Sequence, residues 1–307
     1  MKVAIIGTGG VGGYFGGRLA QNGNEVTFLA RGEHLKAIQQ KGLKVKSILG
    51  DFHIKQVRAT DKINELGKVD LVILGVKAWQ VKEVAKDLKS IMSKKTMVIP
   101  LQNGISAVEE ISKEIKPQNI IGGLCRIISE IESPGVINHF GVEPTIVIGE
   151  LNGETSNRIY EINKIFNNSG INSKITEDIG AELWKKFMGI CVSGLLAVTR
   201  STYGVVRELK ETRGLMKGVI SEIYTVSQKV GINLEPNIID KTIASIDTYP
   251  YDSTSSLTRD VWEGRPSEIN YQNGSVVKLG KKYDVKTPVN EFIYNCILPV
   301  ELKARKK

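Results

Sequence analysis

Cysteine is scarce in this chain. Cys125, Cys191 and Cys296 lie far apart and are odd in number. That argues against a disulfide-stapled scaffold, and no zinc spacing is present. A reducing compartment, the cytoplasm, is therefore expected, with the cysteines serving as small, mostly buried apolar residues. His34, His53 and His139 stand apart from any Asp, Glu or Cys cluster of metal-ligand spacing. No metal is expected, and all three read as surface or loop residues. Aromatic residues make up only 6% and nowhere interleave with Arg or Lys. A base-stacking nucleic-acid surface is thus not expected, despite a net charge of +9. The excess positive charge reads as a solvated surface favouring a polyanionic cofactor and an anionic substrate. Long apolar runs are missing too: the longest, Phe187 to Val198, is too short to span a bilayer, so no membrane partner is expected. Internal repeats and low-complexity segments are absent. A strand starts at Lys2, so no signal peptide is expected.

What is present is a chain of 307 residues, 41% hydrophobic and 24% charged, long enough for two domains. Lys2-Val3-Ala4-Ile5-Ile6 reads as a strand and leads at once into Gly7-Thr8-Gly9-Gly10-Val11-Gly12. A helix from Val11 to Asn22 and a second strand, Glu25 to Leu29, follow. In that context the G-x-G-x-x-G pattern marks a dinucleotide pyrophosphate site at a helix N-terminus. Gly7 would allow the tight turn, Gly9 the approach of phosphate to bare backbone, and Gly12 close packing of helix on strand. The second strand ends Leu29-Ala30-Arg31-Gly32, where an NAD site usually carries an acid. A guanidinium there suits a 2′-phosphate, so NADPH/NADP is expected. Arg58 and Lys55 are candidate helpers that nothing in the sequence locates.

Strand and helix go on alternating. Helix His34 to Lys41 and a polar hairpin-like stretch, Leu43 to Arg58, precede strand Val69 to Leu74 and helix Val81 to Met92. Strand Thr96 to Pro100 and helix Ser106 to Ile115 follow, then strands Ile120 to Ile128, Val136 to His139 and Thr145 to Ile148. The class is α/β, a Rossmann-type doubly wound sheet over residues 1–176, whose ligands lie beyond the carboxyl ends of the strands. From about Asp178 the periodicity turns helical: Glu182 to Val198, Leu215 to Val230, Ile238 to Asp247 and Ser267 to Tyr283. Residues 177–307 are therefore expected to form an all-α substrate domain, with the cleft between the domains as the substrate site. Two strand ends carry polar residues, Lys77 in Val76-Lys77-Ala78 and Asn103 in Gln102-Asn103-Gly104. Taken singly, each reads as a surface lysine or a turn.

The glycine pattern, Val76-Lys77-Ala78, Gln102-Asn103-Gly104, Leu183-Trp184-Lys185-Lys186 and Pro266-Ser267-Glu268-Ile269 together resemble the ketopantoate reductase (2-dehydropantoate 2-reductase) family, in its order and spacing over nearly the whole chain. The resemblance implies NADPH-dependent reduction of 2-dehydropantoate to pantoate on the route to pantothenate and coenzyme A. It implies Lys186 and Glu268 as catalytic residues, and Asn103, Ser256 and Glu268 at the substrate. It also implies Lys77 and Asn103 beside the nicotinamide, and Arg31 at the 2′-phosphate. A positioned ammonium suits the charge that develops on a ketone oxygen. Outside the resemblance, Lys186 would read as a solvated helix lysine and Glu268 as a helix N-terminal acid. Where the family often has asparagine, this chain has Ile190 and Gly194. Beyond Lys186, Ser193 is then the only polar side chain on the expected Ile190, Ser193, Gly194, Ala197 stripe, and becomes a candidate substrate contact. Ser253 likewise stands near an expected asparagine. A different branched or bulky 2-oxo acid, or a non-catalytic NADP-binding sensor, are the alternative readings. Family members occur in more than one oligomeric state, a homodimer being one expected assembly.

Overall fold

A computed structural model describes residues 1–306; Lys307, the end of the basic tail and of the expected second domain, lies outside the described residues. The chain divides into two compact units. One comprises Met1–Gln102 and Ser106–Ile179, the other Asn103–Ile105 and the chain from Gly180 onward.

The first unit runs β1 (Lys2–Ile6), α1 (Gly10–Gln21), β2 (Glu25–Leu29), α2 (Gly32–Lys41), β3 (Leu43–Ser47), β4 (Phe52–Ile54), β5 (Arg58–Thr60), β6 (Leu71–Leu74), α3 (Val81–Leu88), β7 (Met97–Pro100), α4 (Ala107–Ser112), β8 (Ile121–Ser133), β9 (Val136–Glu150), α5 (Asn157–Asn168) and β10 (Asn172–Ile175). Five strands form a parallel sheet in the order β5-β2-β1-β6-β7. Because the sheet is buried on both faces at its centre, β1, β6 and β7 are apolar almost without alternation, whereas the edge strand β5 is polar and partly exposed. Val3, Ile5, Phe28, Ile73 and Ile99 join one core, while Ala4, Ile6, Leu29, Val72 and Val98 join the other.

The later strands correct the expectation of a single sheet. β8 and β9 form one long antiparallel hairpin, and β9 also pairs in parallel with β3 and with β10. With β4 on the far side of β3, they make a second, mixed sheet. The doubly wound parallel sheet itself stands as expected.

Helix α1 packs against both sheets, which explains why five of its first eight residues are glycine. A Cβ on Gly12 would lie 2.1 Å from the Gly7 carbonyl oxygen, and one on Gly10 would lie 2.3 Å from the Ser129 carbonyl oxygen of β8. Both obstacles are backbone and cannot swing aside. Gly12→Ala is therefore expected to destabilise the protein by about 1–3 kcal/mol through overpacking. A lowered thermal midpoint relative to wild type checks this; an unchanged midpoint would contradict the packing account.

The second unit is helical: α6 (Ile179–Thr199, its first residue still in the first unit), α7 (Tyr203–Glu208), α8 (Lys210–Val230), α9 (Ile238–Asp247), α10 (Ser256–Trp262), α11 (Asn273–Tyr283) and α12 (Pro288–Ala304). Its core gathers Trp184, Phe187, Met188, Leu195 and Leu196 of α6 with Met216, Ile220 and Ile223 of α8 and Ile293 and Ile297 of α12. The helix expected over Ser267 to Tyr283 is broken: a short 3-10 turn, Ile269–Tyr271, precedes α11, and Gln272 between them has φ −109° and ψ −106°. Among the described residues, no helix is long and apolar enough to cross a membrane.

Candidate active site

In the first unit, the glycine turn joins β1 to α1. Gly7 has φ +95°, which only glycine adopts without strain, and its amide and that of Thr8 donate to the Leu29 carbonyl. The Thr8 hydroxyl donates to the same oxygen at 2.9 Å, locking the turn to the end of β2. Gly9 is the N-cap of α1, and a Cβ built there meets nothing within 4 Å. The first-turn amides of Gly10, Val11 and Gly12 thus point from a helix N-terminus that carries no acidic residue. Open space, unspent donors and the positive end of a helix dipole fit a pyrophosphate.

Arg31, exposed at the carboxyl end of β2, is the N-cap residue of α2. Arg58 is not its helper: it pairs with Glu25 at the amino end of β2, at 2.7 Å. Lys77 follows β6, exposed, with its ammonium 5.8 Å from the Trp79 ring centre. The buried Gln102 amide donates to the carbonyls of Leu74 and Val76 at 2.9 and 3.0 Å, fastening the ends of β6 and β7 together. The histidine expectation needs correction. His139 is 1% exposed, bonded to Ser47 Oγ and to the Val142 carbonyl, both at 2.8 Å. His34 is half-buried and accepts the Gly135 amide at 3.1 Å. Burial holds its imidazole below the usual range, against the opposing pull of a bond to the Thr8 backbone. Only His53 is exposed. Cys125 and Cys191 are buried and Cys296 is exposed.

In the second unit, α6 carries Trp184, which packs edge-on against Phe187 and fixes the helix, while Lys185 pairs with Glu182 at 2.9 Å. Lys186 is half-buried on a different side of the helix from Trp184. Glu268 is 6% exposed, and its Oε2 accepts from Asn103 Nδ2 at 3.1 Å. Three residues of chain, Asn103 to Ile105, pack with this unit and bring that amide to the carboxylate. Gly104 has φ +97°, and a Cβ on it would lie 2.7 Å from the Tyr271 carbonyl oxygen, so the approach requires glycine. Asn273, fully buried, donates to the Cys191 carbonyl at 3.1 Å and to Asn290 Oδ1 at 2.9 Å, tying α6 to α11 and α12.

Two expectations along α6 fail. Ser193 is 1% exposed, its hydroxyl bonded to the Tyr203 phenol and its carbonyl to Thr258 Oγ1, so it is a core residue rather than a substrate contact. A Cβ on Gly194 would lie 2.5 Å from Asn273 Oδ1 and 2.6 Å from Ile293, so this position faces the unit's interior and has no room for asparagine. The accessible residues one turn beyond Lys186 are Gly189, whose absent side chain faces open space, and the half-buried Ile190. Ser256 is exposed at the first position of α10, where Ser255 does the capping by accepting from the Thr258 amide. Ser253 donates to the Pro250 carbonyl. Sequence reasoning missed Asn273, Ser267 and Glu301. Ser267, beside Glu268, donates from both its amide and its hydroxyl to Glu301, and the adjacency of a serine to the catalytic candidate was the only available signal. Among the described residues, no group of three or more His, Cys, Asp or Glu could hold a metal ion.

A parallel sheet whose glycine turn suits a pyrophosphate, in one chain with a helical unit that holds a carboxylate against an amide, fits a dinucleotide-linked oxidoreductase. The chain belongs to the ketopantoate reductase PanE/ApbA family: residues 3–153 match that family and residues 178–301 match its C-terminal domain. It is 30% identical over 315 residues to a 2-dehydropantoate 2-reductase of Mesorhizobium japonicum, covering 95% of each chain. It superposes with TM-score 0.91 on a PanE/ApbA family ketopantoate reductase of Ralstonia eutropha, at 27% identity over 99% of this chain and 100% of that one. It superposes with TM-score 0.90 on a D-mandelate dehydrogenase solved with NADH and anilino(oxo)acetate, at 26% identity over 99% of both chains.

Proposed function

We propose that this oxidoreductase reduces a 2-oxo acid with NADPH, and that the acid is 2-dehydropantoate, giving pantoate. The observation that carries the reading is the Asn103–Glu268 pair, a buried carboxylate and a chain amide held at 3.1 Å in the unit that also presents Lys186. The glycine turn and Arg31 would hold the dinucleotide, which when bound supplies hydride to the ketone carbon. Lys186 stabilises the negative charge that grows on the ketone oxygen and delivers a proton to it. Glu268 supplies the counter-charge and accepts a hydrogen bond from the substrate, while Asn103 orients that carboxylate. Ser256 meets the substrate carboxylate, and Lys77 and Asn103 sit at the nicotinamide. The family match and the relatives named 2-dehydropantoate 2-reductase support the choice of substrate.

A second reading keeps the reaction and changes the acid. With Ser193 and Gly194 turned into the core, the helical turn that follows Lys186 offers Gly189 and Ile190. That surface suits an apolar side chain better than a hydroxylated one, and a structural neighbour is a D-mandelate dehydrogenase. A panel of 2-oxo acids scored by NADPH consumption decides between them. The first reading expects 2-dehydropantoate to have the highest kcat/KM; about tenfold or greater preference for an apolar or aromatic acid would replace it with the second. No turnover with any acid would leave a cofactor-binding sensor.

A further inference from the structure

We propose that Glu301 of α12, acting with Arg305, is a positioning residue for Glu268. This rests on Glu268 acting at the substrate, as set out above. The segment that carries Glu268 lies between α10 and the 3-10 turn at Ile269–Tyr271, so no regular helix or strand holds it. It is held instead from α12. Glu301 Oε2 accepts the Ser267 amide at 2.8 Å and the Ser267 hydroxyl at 2.7 Å. Arg305 Nη2 donates to the Ser267 carbonyl at 3.1 Å, and Arg305 Nε pairs with Glu301 Oε1 at 2.5 Å. Every polar group of Ser267 is therefore engaged by one carboxylate and one guanidinium set a single helical turn apart. Glu301 is 1% exposed, so this carboxylate is committed to the clamp rather than to solvent. On its other side, Glu268 receives the Asn103 amide, and its own carbonyl accepts the amides of Tyr271 and Gln272 at 2.9 and 3.0 Å. The Glu268 backbone is thus fixed through Ser267 on one side and through its own carbonyl on the other, and the side chain is aimed by a fastening at Ser267, which is itself fully buried.

Glutamine cannot replace Glu301. If its oxygen faces Ser267, its NH2 faces the guanidinium; if it is flipped, its NH2 faces the Ser267 amide. Either way two donors meet. E301Q is expected to lower kcat/KM for the 2-oxo acid about tenfold, the effect of losing charge-assisted hydrogen bonds, with the NADPH dissociation constant within about twofold of wild type. The deciding measurement is a double-mutant cycle with E268Q. A positioning role predicts that E301Q, harmful alone, lowers kcat/KM by less than about twofold in the E268Q background, because nothing is left to aim. An equal factor in both backgrounds would overturn the proposal and make Glu301 a general fold contact; so would unchanged kcat/KM in folded E301Q. Should E301Q not fold, S267A in the same cycle tests the same clamp. It keeps the amide bond to Glu301, loses the hydroxyl, and is expected to cost about threefold in kcat/KM alone and nothing beside E268Q. An E268Q protein as active as wild type would overturn the catalytic reading of Glu268 and this proposal together. A crippled E268Q with additive E301Q would overturn only the proposal.

Discussion

Lys186→Ala is expected to lower kcat by about 10²- to 10⁴-fold, the range for removing a general acid, while the NADPH dissociation constant stays within about twofold. The separation follows from the architecture. The glycine turn and Arg31 belong to the first unit, whereas Lys186 lies on α6 in the second, where the edge-on Trp184–Phe187 packing fixes the helix. Truncating a half-buried lysine removes an ammonium without opening the core around Trp184, so thermal stability should change little. Fluorescence titration of NADPH beside steady-state turnover of the preferred 2-oxo acid provides the check. Wild-type kcat in K186A would remove the lysine from the mechanism, while an equal loss of kcat and cofactor affinity would point to a damaged fold. The neighbouring Lys185→Ala serves as the control: it breaks a part-buried helical pair with Glu182, and kcat is expected within about threefold of wild type.

Arg31→Ala should weaken NADPH by about 10- to 100-fold and NADH by less than about threefold, since a guanidinium–phosphate contact is charge-assisted and only one of the two cofactors has the phosphate. Arg31 is exposed and lies two residues past β2, the strand whose final residue anchors the turn through the Leu29 carbonyl. Its loss therefore leaves the turn intact. The result is read as the ratio of the two dissociation constants, which cancels any general effect on the fold. Equal losses for both cofactors would sink the 2′-phosphate role. A structural neighbour was solved with NADH, so cofactor choice within this fold needs a local cause.

The parts of the molecule legible in the sequence are those set by short stretches of chain. β1, the glycine turn, α1 and β2 follow one another within thirty residues, and their order is dictated by periodicity and by where glycine is tolerated. Ile238 to Asp247 appears as α9 with the bounds its apolar spacing gives. The second sheet was not legible as separate, because β9 finds β3 some ninety residues away and no local pattern encodes that pairing. Along α6, helical spacing puts Ser193 and Gly194 on the Lys186 side but does not say where that side becomes covered; α10 and α11 close over it from Ser193 onward. α12 escapes because Pro299 sits inside it, breaking the signal of a continuous helix, and Glu301 two residues later then looks like a surface charge. The chemistry-bearing strings were readable as strings. Their support, the Ser267–Glu301 clamp and the Asn273 ties, was not, since both join residues tens of positions apart.

The long strand β9 sets the schedule on which this chain can be made. Its residues Val136 to His139 zip onto Lys44 to Ser47, and Thr145 to Ile148 onto Asn172 to Ile175. On the ribosome, the early β3–β4 hairpin must wait for some ninety further residues to emerge, about 5–20 s at ordinary synthesis rates. Throughout that interval one edge of the newborn hairpin has no native neighbour, which leaves its unpaired N–H and C=O groups open to non-native pairing until β9 arrives.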